Sequence, residues 1–296
     1  MEEGRFAFKV FYLGSNYYGF QRQPDVPTVE NEIFRVFNEL DLLAEDSKYT
    51  AASRTDRGVH ALGQVIAVNL KREPDLDEIN ELLPNDIAFW ALSRVSSNFN
   101  ARRKALYRHY KYVCRNPGVN IDLVREALKY IIGVHNFKNL CYKAYRSTIR
   151  RIYLADIKVC SELSDEEFLI FSFYGASFAR GLIRKTVSAV IMVGLGEMSL
   201  DEFKMLLNPR YTSPKGIRLY PSDGLFLVDA YYPIAFKIHL NGVEKVREIL
   251  EGMSLSNGFS GVLGKILLNE FEKLISDLSE LSSRIDSWNI ISSSLG

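Results

Sequence analysis

Apolar and polar positions along the chain follow two periods, one of two residues and one of about 3.6. In RFAFKVFY, from Arg5 to Tyr12, every second residue is a large apolar one, which predicts a strand. Thr28 can then cap a helix that carries acids in its first turn. The apolar stripe of that helix comprises Val29, Ile33, Val36, Phe37 and Leu40. The start of the chain therefore predicts a strand followed by an amphipathic helix.

The same two patterns recur through the rest of the chain. The further predicted strands are Gln64–Leu70, Phe89–Ser96, Leu106–Cys114, Ile149–Cys160, Glu166–Gly175 and Gly224–Tyr232. The further predicted helices are Asp75–Leu83, Val124–Gly133, Phe178–Gly196 with a cap at Ser177, Leu200–Asn208, Val243–Gly252 and Gly264–Trp288. We therefore predict an α+β fold with two similar mixed domains at 1–104 and 105–234, and extra C-terminal helices at 235–296.

The composition is that of a globular protein. Of the 296 residues, 47% are hydrophobic and 25% are charged, which is enough apolar material for a sizeable core. The N-terminus opens with two acids and lacks a signal-peptide pattern, and the longest apolar run is far shorter than the ~20 residues of a membrane span. Three widely spaced cysteines and four scattered histidines form no metal-ligand pattern. These features predict a cytoplasmic protein with reduced thiols, no membrane segment and no metal.

The distribution of charge is more informative than the net charge of +1. Residues 236–296 carry six Lys and Arg against eight Asp and Glu, a net of −2, so the rest of the chain carries +3. Its cations cluster at 102–111, 143–151 and 180–185, and tyrosines interleave the first two clusters. Cations that pair with phosphates and aromatics that stack on bases are typical of RNA recognition, and solvated strand faces carry the same pattern.

One short segment carries candidate chemistry. In ASRTDRGVHALGQV, from Ala52 to Val65, Asp56 stands between Arg54 and Arg57 and is followed closely by Gly58. Asp and Gly both favour tight turns, so ordinary turn chemistry explains the pattern. A carboxylate among cations at the lip of a buried strand is also what a nucleophile or base requires. The segment alone leaves both interpretations open.

Five separated motifs resemble those of one family. SRTDRGVHALGQV matches the G/S-R-T-D-x-G-V-H-x-x-x-Q-V signature of the tRNA pseudouridine synthase A family. Four further family motifs resemble YLGSNYYGFQRQ, FNARRKALYRHYKYV, GASFARGLIRKTVSAVIMVG and YPSDGLFLVDAYY, and all five follow in order between Tyr12 and Tyr232. Phe20, Asn100 and Asn136 depart from the family, where a tryptophan, a histidine and a frequent aspartate stand.

The resemblance implies a reaction, a fold and a partner. The reaction is the isomerisation of uridine to pseudouridine in tRNA, at positions 38–40 of the anticodon arm, and it needs no cofactor. The fold is two similar domains that share a continuous, mainly antiparallel sheet, with helices on one side and an active-site cleft between the domains. The family members are homodimers that bind tRNA, and they have no counterpart of residues 236–296 in their core.

The resemblance also implies roles for single residues. Asp56 corresponds to the catalytic carboxylate, and Arg184 to the arginine that keeps it ionised. Tyr110 corresponds to a tyrosine that stacks on the base and can hydrogen-bond near the carboxylate.

Three further residues would bind the substrate. A uridine in a stem is stacked, so the enzyme must flip it out. Arg54 resembles the arginine that fills the vacated space, and Leu225 the apolar floor of the base pocket. Arg102 would hold phosphate. Read without the family, each of these residues is an ordinary surface or core residue.

Other interpretations remain at this point. A non-catalytic RNA-binding protein would keep the basic and aromatic strands, and would have no use for a pair of Asp56 and Arg184. A small-molecule hydrolase with an aspartate nucleophile needs Mg²⁺ or a second carboxylate at a defined separation, which no sequence pattern ties to Asp56. A structural protein would leave the five motifs unexplained. A pseudouridine synthase that acts at other tRNA positions would keep the chemistry and change only the target.

Overall fold

The computed structural model describes residues 3–142, 147–214 and 216–294. The chain divides into two compact units, which are described separately below. The first consists of Met1–Leu106 together with Leu227–Gly296, and the second of Tyr107–Phe226. The helices after residue 235 therefore belong to the first unit, and the division into three domains stays a prediction.

The described residues form ten strands and eight α-helices. In chain order the strands are β1 (Gly4–Tyr12), β2 (Thr50–Ala51), β3 (His60–Leu70), β4 (Ile87–Val95), β5 (Tyr107–Arg115), β6 (Gly133–Asn136), β7 (Ile149–Cys160), β8 (Phe168–Gly175), β9 (Leu225–Tyr231) and β10 (Lys237–Ile238). The helices are α1 (Val29–Glu39), α2 (Leu76–Leu82), α3 (Ala101–Lys104), α4 (Ile121–Tyr130), α5 (Leu182–Gly194), α6 (Leu200–Met205), α7 (Leu240–Ser254) and α8 (Gly258–Ser294). Every predicted strand and helix is present, and among them β7 alone keeps both of its predicted ends.

The sheet of the first unit is built around β1. This strand pairs antiparallel with β3 on one side and with β4 on the other. The short strands β2 and β10 extend the sheet by pairing with β3 and β4. On one face, Phe8 of β1 packs against Phe37 of α1 and Phe89 of β4, with ring centroids 6.1 and 5.2 Å apart. This aromatic cluster forms the core beneath α1.

The opposite face of this sheet is covered by the C-terminal extension. Trp90 follows Phe89 in β4, so its side chain points to the other face. Its ring packs edge-on against Phe271 of α8 at 5.3 Å, and its Nε1 donates to the Leu62 carbonyl oxygen at 2.8 Å. A Cβ on Gly63 would stand 3.1 Å from Leu274 of α8. Helices therefore lie on both faces here and not on one, because the extension adds a layer to the expected arrangement.

A buried ion pair lies on the same face as α8. Lys9 of β1 donates to the Asp229 carboxylate of β9 and to the Ala230 carbonyl oxygen, and only 1% of Lys9 is exposed. The ring of Phe236 lies 5.1 Å from the Lys9 ammonium. Burial raises the pKa of Asp229, and the charge of Lys9 opposes that rise. The pair joins the first strand of this unit to its last long one.

The strands of the second unit also pair antiparallel. Strand β5 pairs with β8, β8 with β7, and β7 with the short edge strand β6. Helix α4 packs against α5 and β7, and α6 packs against both helices. At the α4–α5 contact, a Cβ on Gly194 would stand 2.7 Å from Val119 and Val124. The mixed architecture with mainly antiparallel strands and extra C-terminal helices is as predicted.

Two predicted helix starts have different outcomes. The Thr28 hydroxyl accepts from the Asn31 N–H at 3.3 Å, which confirms the cap of α1. The predicted cap at Ser177 is wrong, since α5 begins only at Leu182. Gly181, with φ 76°, turns the chain into that helix and has no capping side chain. No helix in the described ranges is long and apolar enough to cross a membrane.

Candidate active site

The loop that carries Asp56 leaves the sheet of the first unit at Ser53, one residue after the last backbone hydrogen bond between this segment and β3. The Ala52 N–H donates to the Val65 carbonyl oxygen at 2.8 Å, continuing the β2–β3 pairing. At Ser53 a side chain replaces the backbone partner. Gln64 Oε1 accepts from the Ser53 N–H at 3.1 Å, and Gln64 Nε2 donates to the Ser53 carbonyl oxygen at 2.9 Å. The loop therefore starts from a fixed position.

Thr55 anchors the loop directly before Asp56. Its hydroxyl bonds the Tyr12 hydroxyl at 2.8 Å, and its carbonyl oxygen accepts from the Phe20 N–H at 3.1 Å. Gly19, with φ +114°, passes so close that a Cβ would stand 2.9 Å from the Thr55 carbonyl oxygen. The predicted opening loop of the family motif thus packs directly on the segment that carries the acid.

Asp56 itself lies in the turn that returns the chain to β3. Its carbonyl oxygen accepts from the Val59 N–H at 3.2 Å, and its side chain is half-buried. Gly58 has φ 77°, a conformation that glycine adopts without strain. Arg54 is exposed, and the guanidinium of Arg57 lies 4.1 Å from the ring centre of Tyr18. The predicted turn is therefore present, and Gly58 allows the bend as predicted.

Arg102 lies on α3, next to the strand that leads into this loop. The Ala101 N–H donates to the Thr50 hydroxyl of β2 at 3.1 Å, and the Tyr232 hydroxyl donates to the Ala101 carbonyl oxygen. Asn100 caps the helix by accepting from the Arg103 N–H at 3.0 Å. Arg102 is exposed on this anchored single turn.

The second unit holds Tyr110 on β5. Tyr110 is 5% exposed and packs edge-on against Phe178, with ring centroids 5.2 Å apart. Tyr112 follows on the same face of the strand, donates to the Pro221 carbonyl oxygen at 2.8 Å and packs against Tyr220. Burial is the main cause that raises the pKa of Tyr112, so its hydroxyl stays protonated at neutral pH.

The other two predicted residues of this unit, Arg184 and Leu225, lie at the segment that leads into β9. Arg184 of α5 donates from Nε to the Tyr220 carbonyl oxygen at 2.5 Å. The Val113 N–H of β5 donates to the Gly224 carbonyl oxygen at 2.9 Å, which places Leu225 beside β5. Leu225 is 7% exposed. Arg184 and Leu225 are thus held along one segment of the second unit, while Tyr110 packs against Phe178.

Comparison with known proteins decides the family. A family model described as tRNA pseudouridine synthase matches residues 127–233. The tRNA pseudouridine synthase A of Archaeoglobus fulgidus is 35% identical over 257 residues, which span 86% of this chain and 94% of that protein. This chain belongs to the tRNA pseudouridine synthase A family. Proteins with the same name from Methanosarcina mazei and Methanosphaera stadtmanae are 37% and 34% identical, over 77% and 83% of this chain and 84% and 91% of theirs.

Family membership gives the reaction class. The protein is an enzyme that isomerises uridine to pseudouridine in tRNA. Its tRNA substrate follows from the family as well. Among the described residues, no group of three or more His, Cys, Asp and Glu side chains is placed to hold a metal ion.

The three departures from the family motifs have structural partners in this synthase. Phe20 is 1% exposed and packs against Tyr12, with ring centroids 5.7 Å apart. Asn100 is the cap of α3 described above. Asn136 accepts from the Thr148 hydroxyl at 2.6 Å and from the Lys138 N–H at 3.1 Å. Each departure therefore supports a local turn or core contact.

The predicted basic clusters are only partly available to a nucleic acid. Arg108 is 5% exposed and donates to the Ala176 carbonyl oxygen at 2.6 Å. His109 stacks on Tyr174 at 3.9 Å, and burial lowers its pKa to about 3, so it is neutral. Lys185 donates to the Cys141 carbonyl oxygen at 3.2 Å. Residues 143–146 of the second cluster lie outside the described residues. The buried cluster members Arg108 and His109 are therefore not available to a nucleic acid.

Two residues near the loop were missed by the sequence reasoning. The His60 Nδ1 accepts from the Gly14 N–H at 3.0 Å, and a Cβ on Gly14 would stand 2.1 Å from the Val59 carbonyl oxygen. Gln64, which brackets Ser53, is completely buried. Both His60 and Gln64 match defined positions of the family signature, so the signature could have identified them from the sequence.

Proposed function

We propose that this synthase acts on uridines at positions 38–40 of the anticodon arm, with Asp56 as its catalytic carboxylate. The observation that carries the assignment of Asp56 is the loop around it. That loop is braced at Ser53 and Thr55 and turns at a left-handed Gly58. A carboxylate on such a loop is held in place before the substrate arrives, which is what oriented catalysis requires.

The proposed chemistry conserves every atom of the uridine. The N1–C1′ bond breaks, the uracil rotates, and C5 bonds to C1′. C5 then loses its proton and N1 gains one. Asp56 serves as nucleophile or base, which requires the ionised carboxylate. No electrons are lost or gained, so the residues of this chain can perform the reaction without a redox group.

The second unit is proposed to supply the partners of the flipped base. Arg184 is the proposed cationic partner of the Asp56 carboxylate. A guanidinium has five N–H donors, and the bond to Tyr220 uses one of them. Tyr110 stacks on the uracil, and Leu225 forms its apolar floor. Tyr110 packs against Phe178 and Leu225 lies beside β5, so both side chains are held in place before binding and lose little freedom.

Two exposed arginines of the first unit are proposed to contact the RNA itself. Arg54, two residues before Asp56, fills the space that the flipped base leaves. Arg102 on the anchored turn of α3 holds phosphate. We further propose a cytoplasmic homodimer as the working form, as the family resemblance implies.

The test is pseudouridine mapping by carbodiimide modification and primer extension. An unmodified tRNA transcript with uridines at 38, 39 and 40 is incubated with the wild type, with Asp56→Asn and with Asp46→Asn. Asp46 is an exposed acid of the same unit, paired with Lys48 at 2.8 Å, and its replacement controls for a general loss of charge. We expect a new stop next to one of these uridines with the wild type and with Asp46→Asn, and none with Asp56→Asn.

The result separates the parts of the proposal. Turnover by Asp56→Asn would remove Asp56 from the chemistry. Stops only at other uridines would keep the chemistry and refute the anticodon-arm position. Filter binding of the same tRNA by Asp56→Asn should be close to that of the wild type, because the substitution keeps the shape of the side chain.

A further inference from the structure

We propose that Gln64 is a positioning residue for Asp56. The side-chain amide of Gln64 makes the hydrogen bonds that a neighbouring strand would make and so fixes the backbone of the catalytic loop. This inference rests on the proposed role of Asp56. It concerns a residue that does not touch the substrate. Gln64 lies in the interior of β3, is 0% exposed and reaches the loop only through its amide.

The geometry shows how the amide replaces a backbone partner. Thr50 and Ala51 pair with Ala67 and Ile66, and the Ala52 N–H donates to the Val65 carbonyl oxygen. The next pair in this order would be Ser53 with Gln64. There the loop turns away, and the Gln64 side chain takes both bonds of the Ser53 backbone, at 3.1 and 2.9 Å. An amide offers one acceptor and a donor group, as a peptide does.

The same amide reaches the residue next to Asp56 through one hydroxyl. Gln64 Nε2 also donates to the Tyr12 hydroxyl at 3.4 Å, and that hydroxyl bonds the Thr55 hydroxyl at 2.8 Å. Tyr12, Thr55 and Gln64 are all buried. The chain is therefore held at positions 53 and 55, directly and indirectly, by one side chain. Loss of the amide should let the loop shift, and with it the carboxylate at position 56.

The first unit contains a matched control for this arrangement. The Asn80 amide on α2 brackets the backbone of Phe89 in the same way. Its Oδ1 accepts from the Phe89 N–H and its Nδ2 donates to the Phe89 carbonyl oxygen, both at 2.8 Å. Asn80 is 8% exposed. It has the same chemistry and a similar burial, but it supports β4 instead of the loop with Asp56.

The experiment compares Gln64→Leu with Asn80→Leu. Three quantities are measured: the single-turnover rate of pseudouridine formation, the Kd for tRNA, and Tm. We expect both variants to lower Tm. Only Gln64→Leu should lower the single-turnover rate, by about 100-fold, which is the size of effect that a misplacement of about 1 Å produces. The tRNA Kd should stay near that of the wild type in both.

A second pair of variants, Gln64→Glu and Asn80→Asp, replaces each amide by a carboxyl group of the same shape. The protonation of that carboxyl group, which pH controls, then decides whether it can donate a hydrogen bond. A neutral carboxyl group can accept from the Ser53 N–H and donate to its carbonyl oxygen, as the amide does. An ionised one can only accept and would face that carbonyl oxygen with a negative charge. We therefore expect the rate of Gln64→Glu, divided by that of the wild type at the same pH, to rise as pH falls. The ratio for Asn80→Asp should stay flat.

The outcomes distinguish this inference from the proposed function. If Gln64→Leu is too unstable to assay, the pH dependence of Gln64→Glu decides the question. An active wild type, an inactive Asp56→Asn and unchanged rates in both Gln64 variants would overturn the positioning role alone. Equal rate losses in the Gln64 and Asn80 variants would also overturn it, because they would indicate a general effect of instability. An active Asp56→Asn would instead overturn the proposed function.

Discussion

Replacing Lys9 with methionine should strongly destabilise the first unit. The Lys9 side chain is 1% exposed, and its ammonium bonds both the Asp229 carboxylate and the Ala230 carbonyl oxygen. Methionine has a similar length but no charge, so it leaves Asp229 buried without its partner. Removal of one member of a buried ion pair costs about 3–5 kcal/mol of unfolding free energy.

The loss should depend on pH with a definite sign. Burial already raises the pKa of Asp229, and Lys9 is the first of the effects that oppose this rise. Without Lys9, the folded protein keeps Asp229 protonated while the unfolded chain releases that proton. A group with a raised pKa in the folded state contributes stability that is lost as pH rises, so the deficit of Lys9→Met should grow from about pH 4 to pH 7.

Urea unfolding followed by circular dichroism measures this deficit, and an exposed pair supplies the control. Lys71 lies 2.5 Å from Asp41, with 47% and 85% of the two side chains exposed, so Lys71→Met should cost at most about 1 kcal/mol. The double variant Lys9→Met/Asp229→Asn should recover at least half of the loss, since it removes the buried charge. The reasoning is refuted if Lys9→Met costs no more than Lys71→Met, or if the double variant is no more stable than Lys9→Met.

Three other predictions concern the second unit and its approach to the substrate. In Gly224→Ala, the new Cβ would stand 2.0 Å from the Val113 carbonyl oxygen, so we expect a loss of about 3 kcal/mol by urea unfolding; Gly252→Ala, with no atom within 4 Å of its Cβ, should cost nothing. Because the pKa of His109 is lowered to about 3, the wild type should lose stability as pH falls below about 6.5, and His109→Gln should show a flatter profile; equal slopes would contradict this. Tyr110→Phe should slow pseudouridine formation in single turnover without stopping it, because stacking survives; an unchanged rate would remove the hydroxyl from the chemistry.

Local patterns predicted much of the fold because the forces that form those elements are local. The strand predicted at Arg5–Tyr12 and the cap at Thr28 are both present, since strand alternation and capping act within a few residues. Strand β7 has its predicted ends. The cap at Ser177 failed because the positive φ of Gly181, which sets the start of α5, is a conformation that the helical pattern does not reveal.

Long-range pairing set the limits of prediction. Strand β2 has two residues and exists through its partners in β3, so no period could reveal it. The same holds for β10 on β4. At the candidate site, the motif identified Asp56 and its turn, but the support of that turn is non-local. Gln64 reaches back 11 residues to Ser53, and Tyr12 lies 43 residues from Thr55. Such bonds depend on how strands meet, which a single sequence does not state.

The interrupted course of the first unit has a consequence for the order of synthesis. The chain leaves this unit at Leu106 and returns at Leu227, and within the unit the Leu106 N–H donates to the Tyr231 carbonyl oxygen at 3.0 Å. Asp229 is synthesised 220 residues after Lys9, which takes roughly 10–45 s at common rates of translation. The second unit is complete before the first receives Leu227–Tyr231 of β9 and α8. A ribosome thus releases the inserted half ready to fold, while the half that carries Asp56 keeps one face of its sheet uncovered until the last helix emerges.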